Sequence, residues 1–110
     1  MTHYLILATI TDPALFADYI RGHIPTIAQY GGVVTFRSID NIPVLGAETW
    51  DAVAIQEWPN EAAFEAWWHS EEYRPWAELR DRAATMIIVK CHNLATGHLA
   101  STESAGKNQP

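Results

Sequence analysis

The sequence predicts an α+β fold in which two strand-then-helix halves contribute to one antiparallel sheet. Three observations carry that prediction. Short segments with apolar residues at alternate positions interleave with longer segments whose apolar residues recur at helical spacing. The helical segments open on capping residues beside a proline or an acid. The first strand is apolar on both faces and therefore asks for cover on both sides.

That first strand runs from His3 to Ile10, with Tyr4, Ile6, Ala8 and Ile10 on one face and Leu5 and Leu7 on the other. Asp12 then caps a helix, and Pro13 takes its first turn, where a missing N–H costs nothing. Leu15, Phe16, Tyr19, Ile20, Ile24 and Ile27 keep helical spacing as far as Gly31-Gly32, which supply the stop. Gly22 and Pro25 interrupt this helix. The hydrogen bond lost at the proline predicts a bend between them, with His23 at the bend.

Val33 to Ser38 is the second strand, where Val33, Thr35 and Arg37 make a wetter face against Val34 and Phe36. Ile39 to Trp50 contains Pro43 and Gly46 and reads as a hairpin connection or a twisted edge strand. Asp51 to Trp58 is the third strand: Val53, Ile55 and Glu57 share one face, while Ala52, Ala54 and Gln56 leave room beside the other. Pro59-Asn60 ends it and caps a helix from Glu61 to His69, buried through Phe64, Trp67 and Trp68. Ser70 with Glu71 and Glu72 signals another helix start, either at Ser70 itself or restarting at Pro75. A β-branched run from Ala84 to Cys91 is the last strand.

Strand, helix, strand, strand, helix, strand is the ferredoxin-like βαββαβ arrangement, with both helices on one face of the sheet. The opposite face is left bare and apolar. A homodimer packed through that face gives a dimeric α/β barrel with a cavity in each subunit between sheet and helices. The chain of 110 residues forms one domain, taken as 1–94, followed by a polar, flexible tail at 95–110 in which Leu94 and Leu99 are possible anchors.

Composition narrows the partners. A net charge of −6 with only seven lysines and arginines argues against nucleic acid and against an anionic membrane surface. A single cysteine, Cys91, provides neither a disulfide framework nor a thiolate metal cluster. The amino terminus lacks the basic region of a signal peptide, and no apolar run is long enough to span a bilayer, so a cytoplasmic location is expected.

The segments Asp12-Pro13 through Tyr30-Gly31-Gly32, then Glu57-Trp58-Pro59-Asn60, then Trp67 to Pro75 and the following Arg80, resemble the bacterial family termed domain of unknown function 1330. The resemblance implies the dimeric α/β barrel fold. It implies no single reaction, because that superfamily includes cofactor-free monooxygenases, isomerases, polyketide cyclases and haem-handling enzymes. The family's acidic Glu-Gly element before the third strand is replaced here by Leu45-Gly46-Ala47-Glu48-Thr49-Trp50.

The candidate chemistry centres on His23, an imidazole on a pocket-lining helix able to act as a general base near neutral pH. Tyr73 and Arg80, two helical turns apart, would place a phenol and a guanidinium on one face and hold developing negative charge. Tyr30, Trp50 and Trp67 would supply flat apolar walls, while Arg37, Glu57 and His69 complete the expected ligand contacts. The five histidines show no metal-ligand spacing, so neither a metal nor another cofactor is expected. The expected function is a small cofactor-independent enzyme, of isomerase, cyclase or monooxygenase type, acting on an apolar, aromatic or enolisable metabolite. A non-catalytic small-molecule-binding dimer is the alternative, and haem handling a third reading.

Overall fold

The computed structural model describes residues 1–92. The tail and its possible anchors Leu94 and Leu99 lie outside the described residues. The elements are β1 (Thr2–Ile10), α1 (Pro13–Gln29), β2 (Val33–Ile39), β3 (Ala52–Trp58), α2 (Glu61–Trp68), α3 (Arg74–Ala83) and β4 (Ala84–His92). Among the described residues no helix is long and apolar enough to cross a membrane.

The strands form one antiparallel sheet in the order β2-β3-β1-β4, which is the ferredoxin-like order. The strand that is apolar on both faces, β1, occupies the interior of the sheet, where two neighbours satisfy its backbone. Register sorts the side chains. Tyr4, Ile6 and Ala8 stand opposite Gln56, Ala54 and Ala52 of β3, and Ile6 and Ala8 stand opposite Ile88 and Met86 of β4. On that face the helices build an aromatic core of Tyr4, Tyr19, Trp58, Phe64, Trp67 and Tyr73 with Ile6 and Ile27. Tyr4 stacks on Phe64 at 3.8 Å between centroids, and Trp67 lies 4.1 Å from Tyr73. The other face carries Leu5, Leu7, Val53, Ile55, Ile87 and Val89, and no helix covers it within one chain; Ile87 and Val89 remain more than two-fifths exposed.

Helix α1 is not interrupted. Asp12 caps it by accepting the Leu15 N–H at 3.1 Å, and it runs continuously through Gly22 and Pro25. Gly22 has a packing role there: a Cβ would fall inside the indole of Trp76, so the glycine lets α3 lie close against α1. At the far end Gly31 adopts φ +92, which L side chains rarely accept, and the Gly32 N–H returns to the Ile27 carbonyl at 3.0 Å.

Two connections shape the surroundings of the cavity. Ser70 does not begin a helix. Its Oγ accepts the Tyr73 N–H at 3.1 Å and donates to the Trp67 carbonyl at 2.8 Å, which fixes the turn between α2 and α3. Helix α3 then starts at Arg74, with Pro75 in its first turn. The connection between β2 and β3 is a loop with a pinned base. Asp40 N–H donates to the Asp51 carbonyl and Asn41 Nδ2 to the Trp50 carbonyl, each at 3.0 Å, and the Asp51 carboxylate accepts the Ile10 N–H at 2.8 Å. Beyond this base Ile42, Val44 and Leu45 stand almost fully exposed.

Candidate active-site cavity

A cavity of about 410 Å³ opens between α1 and the β2–β3 half of the sheet, within the range of small-molecule sites. Its floor is the small-residue face of β3, Ala52 and Ala54, with Ile6 and Ala8 of β1. Phe16, Ile20 and Ile24 of α1 make one wall, and Phe64 and Trp67 close the inner end. The polar groups reaching this apolar space are few: Tyr19 and His23 from α1, Gln56 from β3, Tyr73 from the turn before α3, and Arg21, Arg37 and Ser38.

His23 is 5% exposed. Its Nδ1 lies 2.8 Å from the Tyr19 carbonyl oxygen. A carbonyl only accepts, so the proton sits on Nδ1, and Nε2 keeps its lone pair. The ring stacks on Tyr19 at 3.9 Å between centroids. Burial, reinforced by the positive charges of Arg37 and Arg80 against two backbone hydrogen bonds that act the other way, lowers the imidazolium pKa to about 4. The imidazole is therefore neutral throughout the physiological pH range, with the Nε2 lone pair free and its basicity reduced by burial.

Tyr19 and Tyr73 share a hydrogen bond of 2.7 Å between their hydroxyls, and Arg80 Nη1 donates to the Tyr73 oxygen at 3.0 Å. Two phenols carry two protons, and one suffices for the bond between them. The second is left for a ligand oxygen. Burial raises the pKa of both phenols, well above the ordinary value for Tyr19, while for Tyr73 the bond from Tyr19 and the charge of Arg80 partly oppose the rise. Both remain protonated donors at neutral pH.

Gln56 is 6% exposed, and its amide oxygen accepts the Trp58 indole N–H at 2.9 Å. With the oxygen engaged, the amide N–H₂ is the end free to donate. A proton acceptor at Nε2 of His23 and neutral donors on the Tyr19–Tyr73 pair and Gln56 thus line one largely apolar space, the combination needed to remove a proton and hold the oxyanion it generates.

Of the residues expected from sequence, His23, Tyr73, Trp67 and Arg37 are brought together around this cavity. Arg37 reaches it for a reason that alternation alone misses. A β-bulge between Val34 and Phe36 adds a residue to β2, so Arg37 pairs with Ala54 and joins the face of Val34 rather than that of Val33 and Thr35. Arg80 stands behind Tyr73 instead of lining the cavity, its guanidinium 4.9 Å above the Trp68 ring and its Nε bonded to Asp81 at 3.0 Å.

Four expected contacts lie elsewhere. Tyr30 is directed to the surface, where its hydroxyl donates to Glu72 at 2.7 Å. Glu57 lies on the outer face of the sheet, 3.1 Å from His3 Nε2, because it is one residue out of phase with Gln56. His69 is an exposed helix cap beside Glu65 at 3.3 Å. Trp50 sits at the base of the β2–β3 loop, outside the cavity lining. Tyr19 and Gln56 were not anticipated, although each had a signal: Tyr19 precedes His23 by one helical turn, and Gln56 shares the strand face of Ala52 and Ala54.

Residues 2–92 match the family described as domain of unknown function (DUF1330), and the chain belongs to that family. Among solved structures, a protein of unknown function from Rhodopseudomonas palustris is 24% identical and superposes with a TM-score of 0.78, covering 86% of this chain and 82% of that one. SnoaB, a cofactor-independent oxygenase from Streptomyces nogalater, is 14% identical with a TM-score of 0.61, covering 86% and 94%. A dimeric protein of unknown function with a ferredoxin-like fold from Bacteroides fragilis is 12% identical with a TM-score of 0.56, covering 84% and 95%. At these identities the likeness is one of fold. No curated protein matches the chain.

Proposed function

We propose that this member of the DUF1330 family is a small cofactor-independent enzyme that removes a proton from a flat, enolisable or phenolic metabolite. The observation that carries the reading is the fixed tautomer of His23: Nδ1 is committed to the Tyr19 carbonyl, and a neutral Nε2 is left beside an apolar cavity. In the step proposed, a C–H bond next to a substrate carbonyl breaks and the proton moves to Nε2. The electron pair passes to the carbonyl oxygen, giving an enolate that accepts hydrogen bonds from Tyr73 and Gln56. Returning the proton to another carbon completes an isomerisation, whereas attack of the enolate on a second carbonyl begins a cyclisation. SnoaB, a cofactor-independent oxygenase, lends fold-level support to cofactor-free chemistry.

Arg80 is a positioning residue in this reading, since it reaches the cavity only through the Tyr73 hydroxyl. The working unit is a homodimer joined through the bare face of the sheet, as supported by the exposed aliphatic residues there and by the dimeric fold relative.

The test is hydrogen–deuterium exchange at the benzylic α-carbon of 2-tetralone, a flat enolisable ketone, followed by proton NMR in D₂O. The protein should accelerate exchange, and His23→Ala should abolish the acceleration while 2-tetralone still binds. Binding without acceleration in the wild type would favour the second reading, a non-catalytic binding module with the same cavity.

A further inference from the structure

Two of the chain's seven lysines and arginines line the cavity, while none of the acids among the described residues does, in a protein whose thirteen acids outnumber its bases. The charges and the neutral polar groups are also separated by depth. Tyr19, His23, Gln56 and Tyr73 are buried, whereas Arg21 and Arg37 are exposed. The neutral donors and the base therefore occupy the interior, and positive charge occupies the mouth.

The two arginines are not equivalent. Arg21 already pairs with Asp18 one helical turn away. Arg37, brought to this face by the bulge in β2, makes no ion pair with any described residue. Its planar guanidinium matches a carboxylate and stands on a strand rather than on a loose loop.

We infer that the natural ligand is an amphipathic aryl or enoyl carboxylate, bound with its carboxylate on Arg37 at the mouth and its enolisable or phenolic end among His23, Tyr73 and Gln56. This rests on the proposed reading of the cavity and adds the direction in which the substrate enters. A neutral polyketide-like ligand would leave the guanidinium unused, and a cationic one would be repelled by both arginines. Binding also bears on the base. After burial, the charge of Arg37 is among the causes that hold the His23 pKa down, and a carboxylate seated on Arg37 offsets that charge where a proton must be accepted.

The experiment compares 2-naphthoate with 2-naphthamide, a neutral ligand of the same shape, by isothermal titration calorimetry on the full chain at low and high salt. Naphthoate should bind about tenfold more tightly than the amide at low salt, the scale of one charge-assisted hydrogen bond at a half-solvated site. The preference should shrink as salt screens the mouth. Arg37→Gln should remove the preference by weakening naphthoate far more than naphthamide, while Arg21→Gln should reduce the preference by less than half. Equal affinities for the two ligands would overturn the carboxylate assignment and leave the apolar cavity standing, as would a preference that survives in Arg37→Gln. Failure of both ligands to bind would overturn the cavity reading as well.

Discussion

At the scale of single residues, His23 is a buried titratable group moved well away from its ordinary pKa. Its folded-state pKa of about 4 lies below the ordinary 6.5 of the unfolded chain. Between those values the unfolded chain binds the extra proton, so the contribution of His23 to stability is complete above about pH 6.5 and is lost as pH falls toward 4. The gap corresponds to about 3 kcal/mol. In urea titrations across this window, His23→Gln should show a flatter dependence of stability on pH than the wild type; parallel curves would contradict the buried neutral imidazole. Arg80 offers a second measurement. Its charge and its hydrogen bond pull the Tyr73 pKa down against burial, so Arg80→Met should move Tyr73 upward in an ultraviolet tyrosinate titration. Loss of the hydrogen bond and of the guanidinium over Trp68 should also destabilise the fold by about 1–3 kcal/mol.

At the scale of elements, α1 forms one wall of the cavity, and its contact with α3 depends on Gly22. In an isolated helix Gly22→Ala would be favourable by about 1 kcal/mol. Here the added methyl meets the Trp76 indole, and overpacking of this kind costs about 1–3 kcal/mol. Thermal unfolding should therefore show a net loss for Gly22→Ala. Trp76→Leu in the same chain should recover part of it, giving a coupling that two independent sites would not show. A stabilised Gly22→Ala would mean that the two helices do not approach as closely as described. The turn between α2 and α3 depends on Ser70, whose hydroxyl bridges Trp67 and Tyr73; Ser70→Ala should cost about 1 kcal/mol and loosen the segment that carries Tyr73.

At the scale of the whole molecule, the sheet is covered on one side only. Leu5, Leu7, Ile55, Ile87 and Val89 lie on the side that the helices leave open, and a contiguous apolar face of this kind marks an association surface. Light scattering at micromolar concentration should give twice the chain mass. Val89→Asp, on the β4 edge of that face, should shift the mass to one chain while leaving the helical circular dichroism intact. A wild-type mass of one chain would remove the dimer.

The order of elements, the apolar residues on both faces of β1, the cap at Asp12, the pairing of Tyr73 with Arg80 and the small-residue face at Ala52 and Ala54 were legible from the sequence alone. Each is set by local periodicity or by the conformational demands of a residue and its near neighbours in the chain. What only the tertiary structure decided depends on register and on distant contacts. One extra residue at the β2 bulge carries Arg37 from the expected face to the cavity. A one-residue phase difference separates Gln56 in the cavity from Glu57 on the outer face. Gly22 reads as a helix breaker until the indole of Trp76, more than fifty residues away in sequence, is seen to fill the space where its side chain would be. Periodicity states which residues share a face; only the packed sheet and helices state which face becomes the wall of a cavity and which is left for a partner.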